Sequence, residues 1–151
     1  MSWLARLLGA GATRDVLADL AEDYRAEVAQ AAQLRVHAER ARYPQAATAL
    51  RRLADIEDRH ATWLRDHLIS LGGQPPAVEP RTITGTNQWQ RVVAAFHDAQ
   101  AKRRRLVEQI AHWDPEEPDV VALLRRIEEE DTREHPVYEG LIMRSDPQSI
   151  D

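Results

Sequence analysis

Glu57 and His60 stand three residues apart in the stretch ADIEDRHATWLRDHLISLGGQPP (54–76), in register with leucines at 50, 53, 64, 68 and 71. A carboxylate and an imidazole cost free energy in a hydrocarbon seam unless something there binds them. Residues three or four apart on a helix project from one face, so Glu57 pairs with His60. By the same spacing Asp131 pairs with Glu134, and His135 lies four residues from Asp131. Glu27 keeps step with Leu20, Ala31, Leu34 and Ala38. Carboxylates and histidines from different helices, meeting inside a bundle, are what a dinuclear iron or manganese site requires. The carboxylates offset and bridge the cations, and imidazole completes each coordination sphere. Two plainer readings compete. Glu57 and His60 can form a metal-free hydrogen-bonded core pair, and EEEDTREH (128–135) can be a solvated charged face.

An internal repeat strengthens the metal reading. YPQAATALRRLADIEDRH (43–60) aligns without gaps on EPDVVALLRRIEEEDTREH (117–135) at an offset of 74. Pro44 then pairs with Pro118, Leu50-Arg51-Arg52-Leu53 with Leu124-Arg125-Arg126-Ile127, and Glu57 with Asp131. The apolar matches place the acidic residue at the same level in both halves. His60 falls on Glu134, with His135 one position further.

The elements that must carry these residues are all helical, since alanine, leucine, arginine and glutamate dominate and one helical period follows another. Four helices are predicted, over 13–42 (Thr13 as N-cap), 45–71, 88–112 and 119–143. The third is expected to turn Trp89, Val92, Val93, Phe96, Leu106, Val107 and Ile110 to the core. Gly72-Gly73 is a helix stop. Short turns join the first helix to the second and the third to the fourth, giving two antiparallel hairpins. The second and third are joined by 16 residues, 72–87. These can span up to ~53 Å at ~3.3 Å each, more than the ~40 Å of a 27-residue helix. The connection can therefore cross the full bundle, in up-down-down-up order. The chain reads as one domain over 1–151, an antiparallel four-helix bundle with an amphipathic extension at 1–12 and a tail at 144–151.

Composition narrows the chemistry. The absence of cysteine excludes disulfides, thiolate zinc sites, iron–sulfur clusters and cysteine nucleophiles. A net charge of −5, with KRRR (102–105) as the one basic run, argues against nucleic acid as a partner. That run reads as a solvated helix face. No segment approaches the ~20 apolar residues of a membrane span, and MSWLARLLGAGA is a poor signal peptide. A cytoplasmic location is expected.

The stretch LRRLADIEDRHATWLRDHLISLGGQPP resembles the second helix of ferritin-like diiron proteins, the rubrerythrins and bacterioferritins, where Glu-x-x-His is followed by Ala, a Trp-Leu pair and a Leu-Gly-Gly stop. EVAQAAQLRVHA (27–38) is similar to their first helix. The resemblance is strong in the first two helices and weak in the last two. It implies a ferritin-like bundle with a two-iron, oxygen-reactive centre, of ferroxidase or peroxidase type, with manganese as the alternative metal. Glu27 matches the first-helix ligand, Glu57 the bridging carboxylate, His60 its histidine, and Asp131 the second bridge in shortened form. Glu134 or His135 would stand for the second histidine. The third-helix glutamate is missing: the repeat offset lands on Ala101, and Asp98 is the best substitute by type among His97, Asp98 and Gln100. One iron is thus expected to be better held than the other. Relatives of this kind pair as homodimers through the first two helices. Electrons would come from an external donor, because no cysteine pairs follow the bundle. No haem is expected, both methionines being terminal.

The alternative is a degenerate bundle without redox chemistry, an interaction module whose contacts would be QAKRRR and SWLARLL. His67 reads as a core-edge or interface residue, and His37 and His112 as surface residues. Tyr24, Trp63 and Tyr138 read as packing groups, and Trp3, Trp89 and Trp113 as core or interface anchors.

Overall fold

The computed structural model describes residues 15–80 and 83–151. Four helices account for most of them: α1 (Val16–Arg40), α2 (Pro44–Ser70), α3 (Gln88–Trp113) and α4 (Pro118–Arg144). Thr13 and the 1–12 extension lie outside the described residues; Asp15 caps α1, its side chain accepting from Leu17 N at 2.9 Å. Proline opens both α2 and α4 at the first turn, where its missing N–H has no helical partner to lose. Asn87 caps α3 through Gln90 N at 2.9 Å. Gly72, at φ 83°, lets Gly73 N reach Leu68 O at 2.9 Å and Gly72 N reach Ile69 O at 2.9 Å. This pair of bonds satisfies the last carbonyls of α2.

α1 packs along α2 and α3, and α4 packs along α2 and α3, whereas the diagonals do not meet backbone to backbone. Cross-helix bonds give the directions. Going up α1, Asp19 meets Trp113, Asp23 meets Gln109 and Gln30 meets Ala95, so α3 runs antiparallel to α1. Arg52 meets Glu134 and Arg59 meets Glu130, so α4 opposes α2. The order is up-down-down-up, so the end of α2 and the start of α3 lie at opposite ends of the bundle. None of the described helices is long and apolar enough to cross a membrane.

The core has two apolar halves. Leu34, Leu50, Leu53, Val92 and Leu141 fill one, and Leu20, Leu64, Leu106, Leu124 and Ile127 the other. At roughly 2 kcal/mol for each fully buried large aliphatic side chain, these halves supply the driving force for folding. Between them lies a layer that is not apolar.

The inward face of α3 differs from expectation. Its buried residues are Arg91, Val92, Ala95, Lys102, Leu106, Gln109 and Trp113, while Val107 is half exposed. Val92 and Leu106 are buried as expected, but the inward positions 95, 102 and 109 carry alanine, lysine and glutamine, so counting apolar residues misplaces part of the face.

Candidate metal centre

Each helix places an ionisable residue in the middle layer by the same device, and α2 adds His60 beside Glu57. Glu27 stands seven residues from Leu20 and Leu34, Glu57 seven from Leu50 and Leu64, Lys102 seven from Ala95 and Gln109, and Asp131 seven from Leu124 and Tyr138. Two helical turns bring a side chain back to nearly the same face, so the packing of the neighbours drives these four groups inward. Glu27 and His60 are fully buried, Glu57 is 3 % exposed and Lys102 is 4 % exposed.

The Lys102 ammonium lies between the carboxyls. It donates to Glu27 Oε2 at 2.8 Å and also to Glu57 Oε2, and stands 3.5 Å from Asp131 Oδ2. His60 Nδ1 faces Asp131 Oδ1 at 3.6 Å and Glu27 Oε2 at 3.8 Å. Its other nitrogen, Nε2, is 2.9 Å from Glu130 Oε2, which also accepts from Arg59 Nη2 at 2.7 Å.

Burial, the largest influence, pushes the Glu27 carboxyl above its usual range, although Lys102 opposes it. Burial and then the neighbouring Glu27 raise Glu57 to about 8. Burial, against Lys102, raises Asp131 to about 6. Burial disfavours the Lys102 ammonium, but Glu27, Glu57 and Asp131 outweigh it and hold its pKa well above the ordinary lysine value. Glu130 moves the other way: slight burial raises it, and the hydrogen bonds from Arg59 and His60 bring it below the usual carboxyl value.

Glu130 is an anionic acceptor facing His60 Nε2, so a hydrogen on Nε2 bonds it, and in that tautomer Nδ1 turns a lone pair to the carboxyls. Nδ1 is buried and has no hydrogen-bond partner, as are Glu27 Oε1 and Asp131 Oδ2. Lone pairs turned toward one another repel unless a proton or a cation stands among them. Ligand atoms of Glu27, Glu57 and His60 all lie within 4.8 Å of one another, so the buried triad can hold a metal ion. Its nitrogen and oxygen donors suit a hard or borderline divalent cation. The Lys102 ammonium already sets one positive charge against these carboxyls, and an entering ion would have to displace the proton that Glu57, raised to about 8, holds at neutral pH.

The structure brings together Glu27, Glu57, His60 and Asp131 from the expected set, and places the other three elsewhere. Glu134 is ion-paired with Arg52 at 3.2 Å. His135 packs on the Phe96 ring, 4.8 Å between centroids. With Glu57 and Asp131 it borders a cavity of about 20 Å³, room for a single water. Asp98 lines two clefts beside α1 and the crossover residues. Lys102 and Glu130 were not anticipated. KRRR is not a uniformly solvated face: Lys102 enters the middle layer and Arg105 Nε bonds the buried Asp23 Oδ1 at 3.0 Å, while Arg103 pairs with Glu128. The spacing 92, 95, 99, 102, 106, 109, 113 was the available clue, since its alternating steps of three and four trace one face.

His37, expected at the surface, is buried, and neither ring nitrogen has a partner. Tyr138 is a packing residue, as read, and its hydroxyl accepts from Gln30 Nε2 at 3.3 Å. Trp113 anchors the far end of the core through Nε1–H to Asp19 Oδ2 at 2.9 Å.

No protein-family model matches this chain, and no curated protein matches it.

Proposed function

We propose that this protein is a ferritin-like metal-binding protein holding one divalent ion, iron by resemblance, through Glu27, Glu57 and His60, with oxygen or peroxide as its reactant. The observation that carries the reading is the orientation of His60. An anionic carboxylate, Glu130, fixes one nitrogen, and the other points unpartnered at two carboxyl groups. Carboxylate-backed histidine is the usual arrangement behind a metal ligand.

The expectation of two ions narrows to one because Lys102 lies where α3 would have to supply a further carboxylate. When bound, the ion supplies an electron and an open coordination position. The chain's own residues do the rest. Glu27 and Glu57 neutralise charge, Glu130 orients His60, the apolar halves exclude bulk water, and Lys102 offers a fixed positive charge and N–H donors beside the site. A homodimer through α1 and α2, and an external electron donor, belong to the same proposal.

A second reading is favoured by the hydrogen bonds of Lys102 to Glu27 and Glu57. Here the ammonium serves as the cation of a metal-free bundle that acts as an interaction module. Metal content per chain separates the two. Protein purified without chelators and loaded anaerobically with ferrous iron is expected to hold close to one ion and to oxidise it when peroxide or oxygen is added. Glu57→Gln and His60→Ala are expected to hold none. A parent protein with no metal above background contradicts the proposal and leaves the second reading.

A further inference from the structure

At the end of the bundle away from Trp113, a groove of about 540 Å³ runs between the start of α2 and the end of α4. It exists because the facing residues are small. Ala46 and Ala49 form one wall, and Gly140, with Val137 and Leu141, forms the other. The volume lies in the range of pockets that take small organic ligands. Arg144 is the one charged residue at its edge, and its guanidinium lies 3.6 Å from where a Cβ would stand on Gly140. No salt bridge of Arg144 is found among the described residues, although ion pairs are abundant elsewhere on this surface. The adjoining first turn of α2 has no side-chain cap, so its positive dipole end adds to the same field.

We infer that this groove binds a single-chain amphiphile with a carboxylate head. The alkyl chain lies along Ala46, Ala49, Val137 and Leu141, and the head pairs with Arg144. Concavity, apolar walls and a lone cation without an acidic neighbour in the lining favour such a ligand over a flat protein partner. Gln88 spends Nε2 on Ser145 Oγ at 2.9 Å and leaves Oε1 buried and unpartnered, an acceptor for a water or a ligand hydroxyl. The site is separate from the metal centre and does not depend on it.

The test is calorimetric titration with octanoate, decanoate and dodecanoate, below their micellar concentrations, and with dodecylammonium. Binding is expected to saturate at one per chain and to tighten by about fourfold per added methylene until the groove is filled. Dodecanoate is expected to exceed dodecylammonium by about tenfold, the effect of reversing one exposed charge pair. Arg144→Gln should remove the head-group preference while keeping the chain-length dependence. Ala49→Leu should abolish binding with an unchanged helical circular dichroism spectrum and melting curve. The inference is overturned if the parent binds no alkanoate saturably, if dodecylammonium binds as well as dodecanoate, or if Ala49→Leu binds normally. It is also overturned if Ala49→Leu instead dissociates a dimer that no alkanoate disturbs, because the groove would then be a contact between two copies of the chain.

Discussion

Lys102 Nζ donates to Glu27 Oε2 at 2.8 Å in the middle of the bundle, with Glu57 Oε2 on its other side. A lysine from α3 thus sets its positive charge against carboxyls from α1 and α2. Removing one partner of a buried pair leaves an uncompensated charge, at a cost of about 3 kcal/mol. Lys102→Gln is therefore expected to lower the stability of the metal-free protein by that order in urea titrations. It should also tighten metal binding, because the competing cation is gone. Lys102→Glu should raise the metal content from about one ion per chain toward two.

Glu130 acts on the centre through His60. Glu130→Ala removes the acceptor that holds His60 Nε2–H, so the ring is free to change tautomer and to turn. Loss of such a supporting carboxylate lowers metal affinity by roughly 10–100-fold. Glu130 is partly exposed, so the fold should be retained. Competition with a chelator of known affinity, set beside a thermal melt, checks both halves of this prediction.

Metal entry is expected to release protons. Glu57, raised to about 8, holds a proton at neutral pH, and a ligating carboxylate must give it up. Affinity should climb as pH rises from about 6 to 8 and then level. Titration calorimetry in two buffers of different ionisation enthalpy should show proton release at pH 7. A pH-independent affinity with no proton release would mean that Glu57 is not a ligand.

His37 gives a prediction away from the centre. Burial, then Arg91 and Arg40, lower its pKa from the ordinary 6.5 to about 4. The folded imidazole stays neutral while the unfolded one protonates, so its contribution is complete above about 6.5 and is lost as pH falls through 4. His37→Leu should remove that acid-side loss. It also removes two buried nitrogens without partners, for a gain of about 1 kcal/mol at neutral pH. Urea denaturation of parent and variant at pH 7 and pH 5 gives the comparison.

How much of this was legible beforehand depended on which residues held the core. The leucines of α2 and α4 repeat so regularly that Glu57, and through the repeat Asp131, could be placed inside before any coordinates. The prolines at 44 and 118, the glycines at 72 and 73 and the length of the crossover gave the helix ends and their order. α3 was harder, because its inward face carries alanine, lysine and glutamine, and the more apolar Val107 faces water. Lys102 was hidden in a run of four basic residues, of which only the position modulo seven distinguishes the buried one. His37 was hidden in the same way. Burying it without a partner runs against the usual rule, and sequence periodicity gives no warning of such an exception.

The most direct test is anomalous X-ray scattering, recorded at the iron absorption edge on crystals loaded anaerobically with ferrous iron. One peak per chain, within bonding distance of Glu27, Glu57 and His60 Nδ1, is the predicted result. Two peaks, or none with Lys102 still bonded to both glutamates, would contradict it.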